Sequence, residues 1–221
     1  MAGRHQVSFI DAEVKRWLED EAPENGLCLS RFHADIVVEG LSAMKAGQQF
    51  EAGGLRYELT QAGKKCFEEC ELLKESGKPC LLAGGAAFGK CLGPSADKWL
   101  AEAKAHESAP KIGMYLVHNG VVRETARARV REGAETAEPV TAMEFSCDAA
   151  KLEEAVADTY KMPGIYYIKT WLNEGRLNVG DDIMYVLIGG DIRPNVTAAL
   201  DYLVGRIKEQ CVTETEIFDG R

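Results

Sequence analysis

The stretch from Gly164 to about Lys208 constrains the fold more than any other part of this sequence. Two apolar, β-branched runs, residues 165–171 and 183–188, flank a gap rich in turn residues, which predicts two consecutive strands. Arg193-Pro194 then opens a helix, because proline is tolerated in the first helical turn. One face of this helix is predicted to be buried, since apolar residues recur at three- and four-residue spacing: Val196, Leu200, Leu203, Val204, Ile207 and Cys211.

Two cations bracket this helix. At about 1.5 Å of rise per residue, Arg193 and Lys208 lie about 22 Å apart along one helix. A single chain therefore cannot place both side chains on the same small anion. If both residues are functional, one site combines two chains, which predicts a symmetric homodimer formed through the C-terminal part.

Composition narrows the class of protein. The chain has 221 residues and a formal net charge of -9, with 35 acidic and 26 basic residues. That balance argues against a nucleic-acid-binding surface, while a local basic pocket for a phosphate is still allowed. No stretch is apolar for the roughly 18 residues that a membrane helix needs, and the first residues form no hydrophobic signal region. We therefore expect a cytoplasmic protein with no membrane partner.

The order of predicted elements defines the domains. Residues 112–117 and 140–145 are predicted strands and residues 149–160 a helix, so the second half lacks strict strand–helix alternation and is α+β. The charged residues 124–138 predict a mobile loop. Short strands and glycine turns in the first half predict a small, barrel-like β domain. The predicted boundaries are a domain over residues 1–92, a linker with a short helix over 93–110, and a domain over 111–221.

The second half resembles the MoaE family, the large catalytic subunit of molybdopterin synthase. The resemblance lies in Gly175-Arg-Leu-x-Val-Gly, the apolar strand after it, Arg193 and Lys208. Upstream, His118-Asn-Gly-Val-Val-Arg123 is similar to the family's F-x-G-x-V-R segment. The predicted strand that begins at Val140 is similar to the strand that follows this segment in the family. The resemblance implies a hammerhead-type α/β sandwich that dimerises.

The resemblance also implies a reaction. The family transfers sulfur from the C-terminal thiocarboxylate of a small ubiquitin-like subunit ending in Gly-Gly to cyclic pyranopterin monophosphate, giving molybdopterin. Lys208 matches the first catalytic lysine, and Arg123 and Arg193 match the substrate-anchoring arginines. His118 stands where the family has an aromatic residue before the glycine of the first motif, and the resemblance implies that it is a substrate-binding residue. The pterin is a substrate, and no firmly bound cofactor is implied. The other arginines near Arg123 are interpreted as a solvated face: Arg127, Arg129 and Arg131.

The first half resembles an abridged MOSC domain, as found in molybdenum-cofactor sulfurases. The similarity lies in Asp35-Ile-Val-Val-Glu-Gly, the Gly47-x-x-Phe hairpin and the C-x3-C-x9-C spacing of Cys66, Cys70 and Cys80. The family implies a β-barrel that handles sulfur or cofactor.

The cysteines allow three interpretations. An odd total of seven, without an export signal, indicates reduced thiols. Cys66, Cys70 and Cys80 are then small packing residues, or one of them carries sulfur as a thiolate, with Cys66 favoured by two neighbouring lysines. The third interpretation is a structural zinc ion, which needs a fourth ligand such as Cys91 or His33. No metal site is assigned elsewhere.

The sequence supports two functions of different classes. Arg123, Arg193 and Lys208 favour a molybdopterin-synthase-type sulfurtransferase. The family's second lysine is replaced by Thr215, and this favours a non-catalytic protein that binds or carries a pterin or sulfur intermediate. The residues leave open whether the pathway serves molybdenum or tungsten.

Overall fold

A computed structural model describes residues 7–20, 26, 28–68, 70, 80–133 and 138–218. The chain forms two compact units, with the boundary in sequence between Leu92 and Gly93. Among the described residues, no helix is both long enough and apolar enough to cross a bilayer.

The N-terminal unit contains a five-stranded sheet. Its strands are β1 (Val7–Asp11), β2 (Ile36–Val38), β3 (Gln49–Ala52), β4 (Leu55–Ala62) and β5 (Ala86–Pro94), in the order β2-β1-β5-β4-β3. Its helices are α1 (Ala12–Asp20) and α2 (Leu81–Gly85), with a 3₁₀ turn at Leu41–Ala43. The predicted hairpin is confirmed, and its turn uses Gly53 and Gly54 at φ 58° and 79°, the left-handed region that a tight hairpin requires.

The core of this unit lies around Phe9. Its ring is fully buried and contacts Phe50 and Tyr57 edge-on, with centroid distances of 5.1 and 5.3 Å. No pairing between the described residues joins the edge strands β2 and β3. The barrel-like closure predicted from the sequence is therefore not confirmed.

The C-terminal unit contains two three-stranded sheets. Its helices are α3 (Ala96–Ala105), α4 (Arg127–Glu132), α5 (Ala149–Tyr160) and α6 (Arg193–Arg206). One sheet has the order β6-β10-β8, formed by Met114–Val121, Asp182–Gly190 and Ile165–Leu172. The other has the order β11-β7-β9, formed by Val212–Phe218, Val140–Cys147 and Gly175–Asn178. The unit is α+β, as predicted.

Strand β10 is the centre of this unit. Its side chains are buried on both faces, because α6 packs on one face and α3 covers the other. Val186 and Ile188 join the main core with Leu203 of α6, whereas Leu187 packs with Trp99 of α3. Helix α3 begins at the predicted cap, where Ser95 Oγ accepts a hydrogen bond from the Lys98 N–H at 3.4 Å. The segment predicted as a linker thus contributes a helix to the core of the C-terminal unit.

Three elements differ from the sequence prediction. Helix α4 lies within the stretch predicted as a mobile loop. Strand β11 was not predicted, because its Thr-Glu-Thr-Glu run lacks an apolar alternation and it is ordered by pairing with β7. The long helix ends at Arg206 and continues as a π-helical turn over Ile207–Cys211. This turn carries Lys208.

Candidate functional site

An open pocket of about 410 Å³ lies in the C-terminal unit. Three cationic side chains line it: Arg123, Arg127 and Lys208. The remaining lining residues are two carboxylates, one hydroxyl and an apolar wall: Glu214, Glu216, Thr215, Val121, Val130, Met143, Ile183 and Phe218. The structure therefore brings together two of the predicted site residues, Arg123 and Lys208, which are distant in sequence.

The π-helical turn positions Lys208. Ile207 is fully buried and Cys211 is 4 % exposed, so both ends of the turn are fixed in the core. The Cys211 carbonyl also accepts a hydrogen bond from the Asp148 N–H at 2.7 Å. Lys208 is exposed between these two anchors and reaches the pocket. π-Helical insertions are frequent at functional sites, because the extra residue changes the direction of a side chain.

The two arginines lie just beyond the end of β6. The Arg123 Nε donates to the Thr125 carbonyl at 2.9 Å, and this hydrogen bond fixes the Nε side of the guanidinium group. The Arg127 N–H donates to both carboxylate oxygens of Glu216, at 2.8 and 3.1 Å, so this carboxylate caps α4. Among the described residues, no carboxylate forms an ion pair with Arg123, Arg127 or Lys208.

His118 lies on β6, opposite Val186 of the central strand. Its Nε2 is buried and has no hydrogen-bond partner among the described residues. Burial lowers the pKa of His118, and the positive charge of Lys208 lowers it further. The imidazole is therefore neutral at pH 7 and lies within electrostatic reach of Lys208. It contributes no positive charge to anion binding.

The His118→Phe variant should lose less stability in acid than the wild type. The unfolded-state pKa is about 6.5 and the folded-state pKa is lower, so below pH 6.5 the unfolded chain takes up a proton that the folded chain does not. The contribution of neutral His118 to the free energy of unfolding is therefore fully present above pH 6.5. It is lost as the pH falls through the pKa of His118 in the folded state. Urea midpoints measured at pH 7.5 and 5.5 test this. An equal decrease of the urea midpoint between pH 7.5 and 5.5 in the variant and the wild type would contradict a lowered pKa for His118.

Arg193 lies apart from this pocket. It is exposed at the first position of α6 and is not among the lining residues. Asp191 fixes that helix start, because its Oδ1 accepts hydrogen bonds from the Ile192 N–H and the Asn195 Nδ2, at 2.6 and 2.9 Å. Within one chain, Arg193 and Lys208 are thus at opposite ends of the helical segment, as the sequence indicated.

Sequence reasoning missed two pocket residues. From the sequence, Arg127 is interpreted as part of a solvated face, and Glu216 only as one of the two acids that flank Thr215. No local pattern distinguishes Arg127 from Arg129, which lines a different, smaller pocket. Only the β11–β7 pairing brings Glu216 to the start of α4. Thr215, the replacement for the family's second lysine, does line the pocket.

The predicted cysteine site lies in the N-terminal unit. Cys66, Cys70 and Cys80 line one small cavity together with Cys28 and Lys64. Burial raises the pKa of the Cys66 thiol, the neighbouring cysteines raise it further, and the charge of Lys64 only partly offsets this. The expected activation of Cys66 by its lysine neighbours is therefore outweighed by desolvation. No disulfide joins these cysteines, all of which lie in the described part of the chain.

The family comparison matches a region that lies within the C-terminal unit. A family model described as "MoaE protein" matches residues 95–210. A search of curated proteins finds no match. Because the family match begins at residue 95, it does not support a MOSC-like fusion in the N-terminal unit.

Several solved structures are similar to part of this chain. Molybdopterin synthase from Staphylococcus aureus is 20% identical, with 57% of this chain and 87% of that chain covered and a TM-score of 0.46. The MoaE protein from Burkholderia ambifaria is 22% identical, with 56% and 79% covered and a TM-score of 0.43. A complex of subunits 1 and 2 of molybdopterin-converting factor from Helicobacter pylori is 16% identical, with 57% and 82% covered and a TM-score of 0.41.

These structural similarities are weak, so the assignment depends on the family model. That model covers more than half of the 221 residues and includes Arg123, Arg193 and Lys208. The chain belongs to the MoaE family, the catalytic subunit of molybdopterin synthase, and has a role in molybdenum cofactor biosynthesis.

Proposed function

We propose that this protein transfers sulfur from the C-terminal thiocarboxylate of a small ubiquitin-like partner to cyclic pyranopterin monophosphate. The observation that carries this proposal is the gathering of Arg123, Arg127 and Lys208 around one pocket without an ion-pair partner among the described residues. The three cations outnumber the two carboxylates of the pocket, Glu214 and Glu216, so a bound phosphate anion would reduce the repulsion among the cations.

The substrate phosphate is assigned to the arginine side of the pocket. A guanidinium can bind two phosphate oxygens at once, which fixes the orientation of the substrate as well as its position. Arg123 is held by its contact with Thr125, and Arg127 is held at the capped start of α4. The Glu216 carboxylate already accepts hydrogen bonds from the Arg127 backbone N–H, so its charge is partly offset and repels the phosphate less.

Lys208 is assigned to the sulfur-transfer centre. The thiocarboxylate sulfur adds to an electrophilic carbon of the pterin and forms a thioester, and water then attacks the thioester carbonyl. Negative charge develops on the carbonyl oxygen, and an ammonium placed beside that oxygen stabilises it. The acyl C–S bond breaks, so the sulfur stays on the pterin and the partner leaves as a carboxylate. Alternatively, the neutral amine attacks the carbonyl carbon and forms an amide, the C–S bond breaks, and hydrosulfide leaves as the sulfur donor; water then hydrolyses the amide and frees the lysine. Neutral His118 nearby leaves the electrostatic environment of Lys208 less positive than a charged imidazole would.

The apolar wall suits the tail of the partner. Val121 and Val130 are large hydrophobic side chains with 44 % and 55 % of their surface exposed, and both line the pocket. A Gly-Gly tail has no side chains, so it can lie against this wall and deliver its carboxyl end to Lys208. The partner is thus proposed to be a small sulfur-carrier subunit.

Reconstitution tests the proposal. Purified protein is mixed with thiocarboxylated small subunit and cyclic pyranopterin monophosphate, and the dithiolene product is measured as its fluorescent oxidised derivative. Product formation that requires all three components supports the sulfurtransferase. Absence of product, while both the partner and the pterin bind in calorimetry, would contradict it.

Arg193 enters the proposal through a second chain. If a homodimer places Arg193 of one protomer beside Lys208 of the other, the Arg193→Ala and Lys208→Ala variants should complement each other. A mixed dimer then has one intact site and one doubly altered site. We expect equimolar mixing with chain exchange to restore about a quarter of wild-type activity from two nearly inactive proteins.

Size-exclusion chromatography with light scattering provides the control, since complementation requires dimers. A mixture that stays inactive, although labelled protomers have exchanged, would show that Arg193 and Lys208 do not share a site across the interface.

A carrier or scaffold role is the second candidate function. Thr215 lines the pocket where the family has its second lysine, and Glu214 adds a negative charge to the same wall. Tight pterin binding without turnover would favour this role. The MOSC-like character of the N-terminal unit and a cytoplasmic location stay predictions.

A further inference from the structure

Four cysteines in the N-terminal unit surround one small cavity. The sequence singled out Cys66, Cys70 and Cys80, and the folded chain adds Cys28 to them. The cavity measures about 10 Å³, which is room for one water-sized sphere. An organic ligand does not fit in such a space, whereas a single ion does.

Three separate chain segments supply these thiols. Cys28 begins a turn in which its carbonyl accepts hydrogen bonds from the N–H groups of residues 31 and 32. Cys66 and Cys70 flank a turn closed by the Cys70 N–H and the Phe67 carbonyl at 3.0 Å. Cys80 immediately precedes α2. A ligand held by all four thiols would therefore cross-link these three segments of the N-terminal unit.

Lys64 provides a charge that suits an anionic centre. Its Nζ lies 2.8 Å from the Cys28 Sγ, and its backbone N–H donates to the carbonyl of Ala83 in α2 at 2.7 Å. Four thiolates around a divalent cation have a net charge of -2, so an adjacent ammonium offsets part of that charge. The same ammonium lies 5.5 Å from the centroid of the Phe67 ring, which also lines the cavity.

We infer that Cys28, Cys66, Cys70 and Cys80 are ligands of a structural zinc ion, with Lys64 donating to one of the bound sulfurs. The three-residue gap between Cys66 and Cys70 is within the range for two zinc ligands on one turn. The fourth ligand that the sequence lacked is Cys28. The site lies in the unit that the MoaE match does not cover, so the inference is independent of the sulfur-transfer proposal.

The thiols must close around the ion when it binds. In the described part of the chain, no three His, Cys, Asp or Glu side chains are already arranged as a metal site. Each cysteine sulfur is one rotatable bond from the backbone, so rotation about Cα–Cβ moves it without changing the fold. Zn–S bonds of about 2.3 Å then draw the four sulfurs towards the cavity centre, and the thiol protons are released to solvent.

Metal analysis of the full chain tests the inference. Protein purified without chelator and under reducing conditions should contain about one zinc ion per chain. The Cys28→Ser and Cys66→Ser variants should each contain at least about tenfold less zinc, because a lost ligand weakens the site. The matched control is Cys91→Ser, since Cys91 is in the same unit and does not line the cavity. Its zinc content should equal that of the wild type.

A second measurement works without variants. Cobalt added to the zinc-free wild type should give the thiolate charge-transfer bands and visible d–d bands of a tetrahedral sulfur site. Removing zinc with a chelator should expose about four more thiols to Ellman's reagent. Three outcomes would overturn the inference: iron in place of zinc, no zinc and no cobalt spectrum with all thiols reduced, or zinc content unchanged in both cavity variants.

Discussion

Lys208→Ala is expected to lower kcat for dithiolene formation by about 10²–10³-fold, with a smaller change in KM. The expected size follows from the loss of one donor that stabilises developing negative charge. Arg123 and Arg127 stay in place in this variant, so the pterin phosphate keeps its main partners and ground-state binding changes less than turnover. The reconstituted assay measures both constants under saturating thiocarboxylated partner.

Two further variants make this result specific. Lys208→Arg keeps the positive charge but cannot act as an amine nucleophile, so substantial activity in that variant favours electrostatic stabilisation over covalent attack. Lys104→Ala removes an exposed lysine of α3 that lines none of the described pockets, and it should retain full activity. Wild-type activity in Lys208→Ala would exclude Lys208 from the reaction.

Ile207→Ala should destabilise the C-terminal unit by about 2–5 kcal/mol, because it leaves a cavity at a fully buried position. Ile207→Val removes only one methylene and should cost about 0.5–1.5 kcal/mol. Ile207 begins the π-helical turn, so loss of its anchor should also reduce the activity of the fraction that stays folded. Urea unfolding followed by tryptophan fluorescence, in a Trp17→Phe background, reports on this unit, since the two remaining tryptophans, Trp99 and Trp171, both lie there.

The matched control is Ile192→Ala on the same helical segment. Ile192 is 56 % exposed, so the same chemical change should alter stability by less than about 0.5 kcal/mol. Similar losses in Ile192→Ala and Ile207→Ala would show that the π-helical turn is not anchored through the core.

The sequence predicted the candidate site unevenly. Arg123 could be selected because it lies in a short motif that resembles a known family, and Lys208 because it follows Arg193 at the spacing which that family implies. Arg127 and Glu216 could not be selected, because a charged side chain on a short helix or an edge strand has no pattern that separates a pocket from solvent. Cys28 was missed for a similar reason: it lies far from Cys66 in sequence, and a zinc ligand supplied by a distant segment has no local spacing.

By itself, the sequence determined the elements whose stability is mostly local. The apolar spacing of α6, the Ser95 cap of α3 and the glycine turn of the β3–β4 hairpin are short-range signals, since each depends on residues a few positions apart. The folded structure was needed to identify β11, the π-helical turn and the neighbours of Lys208. Strand β11 forms because β7 supplies its hydrogen bonds, and the turn forms because both Ile207 and Cys211 reach the core. Such long-range contacts depend on the whole fold, so no local pattern of residues encodes them.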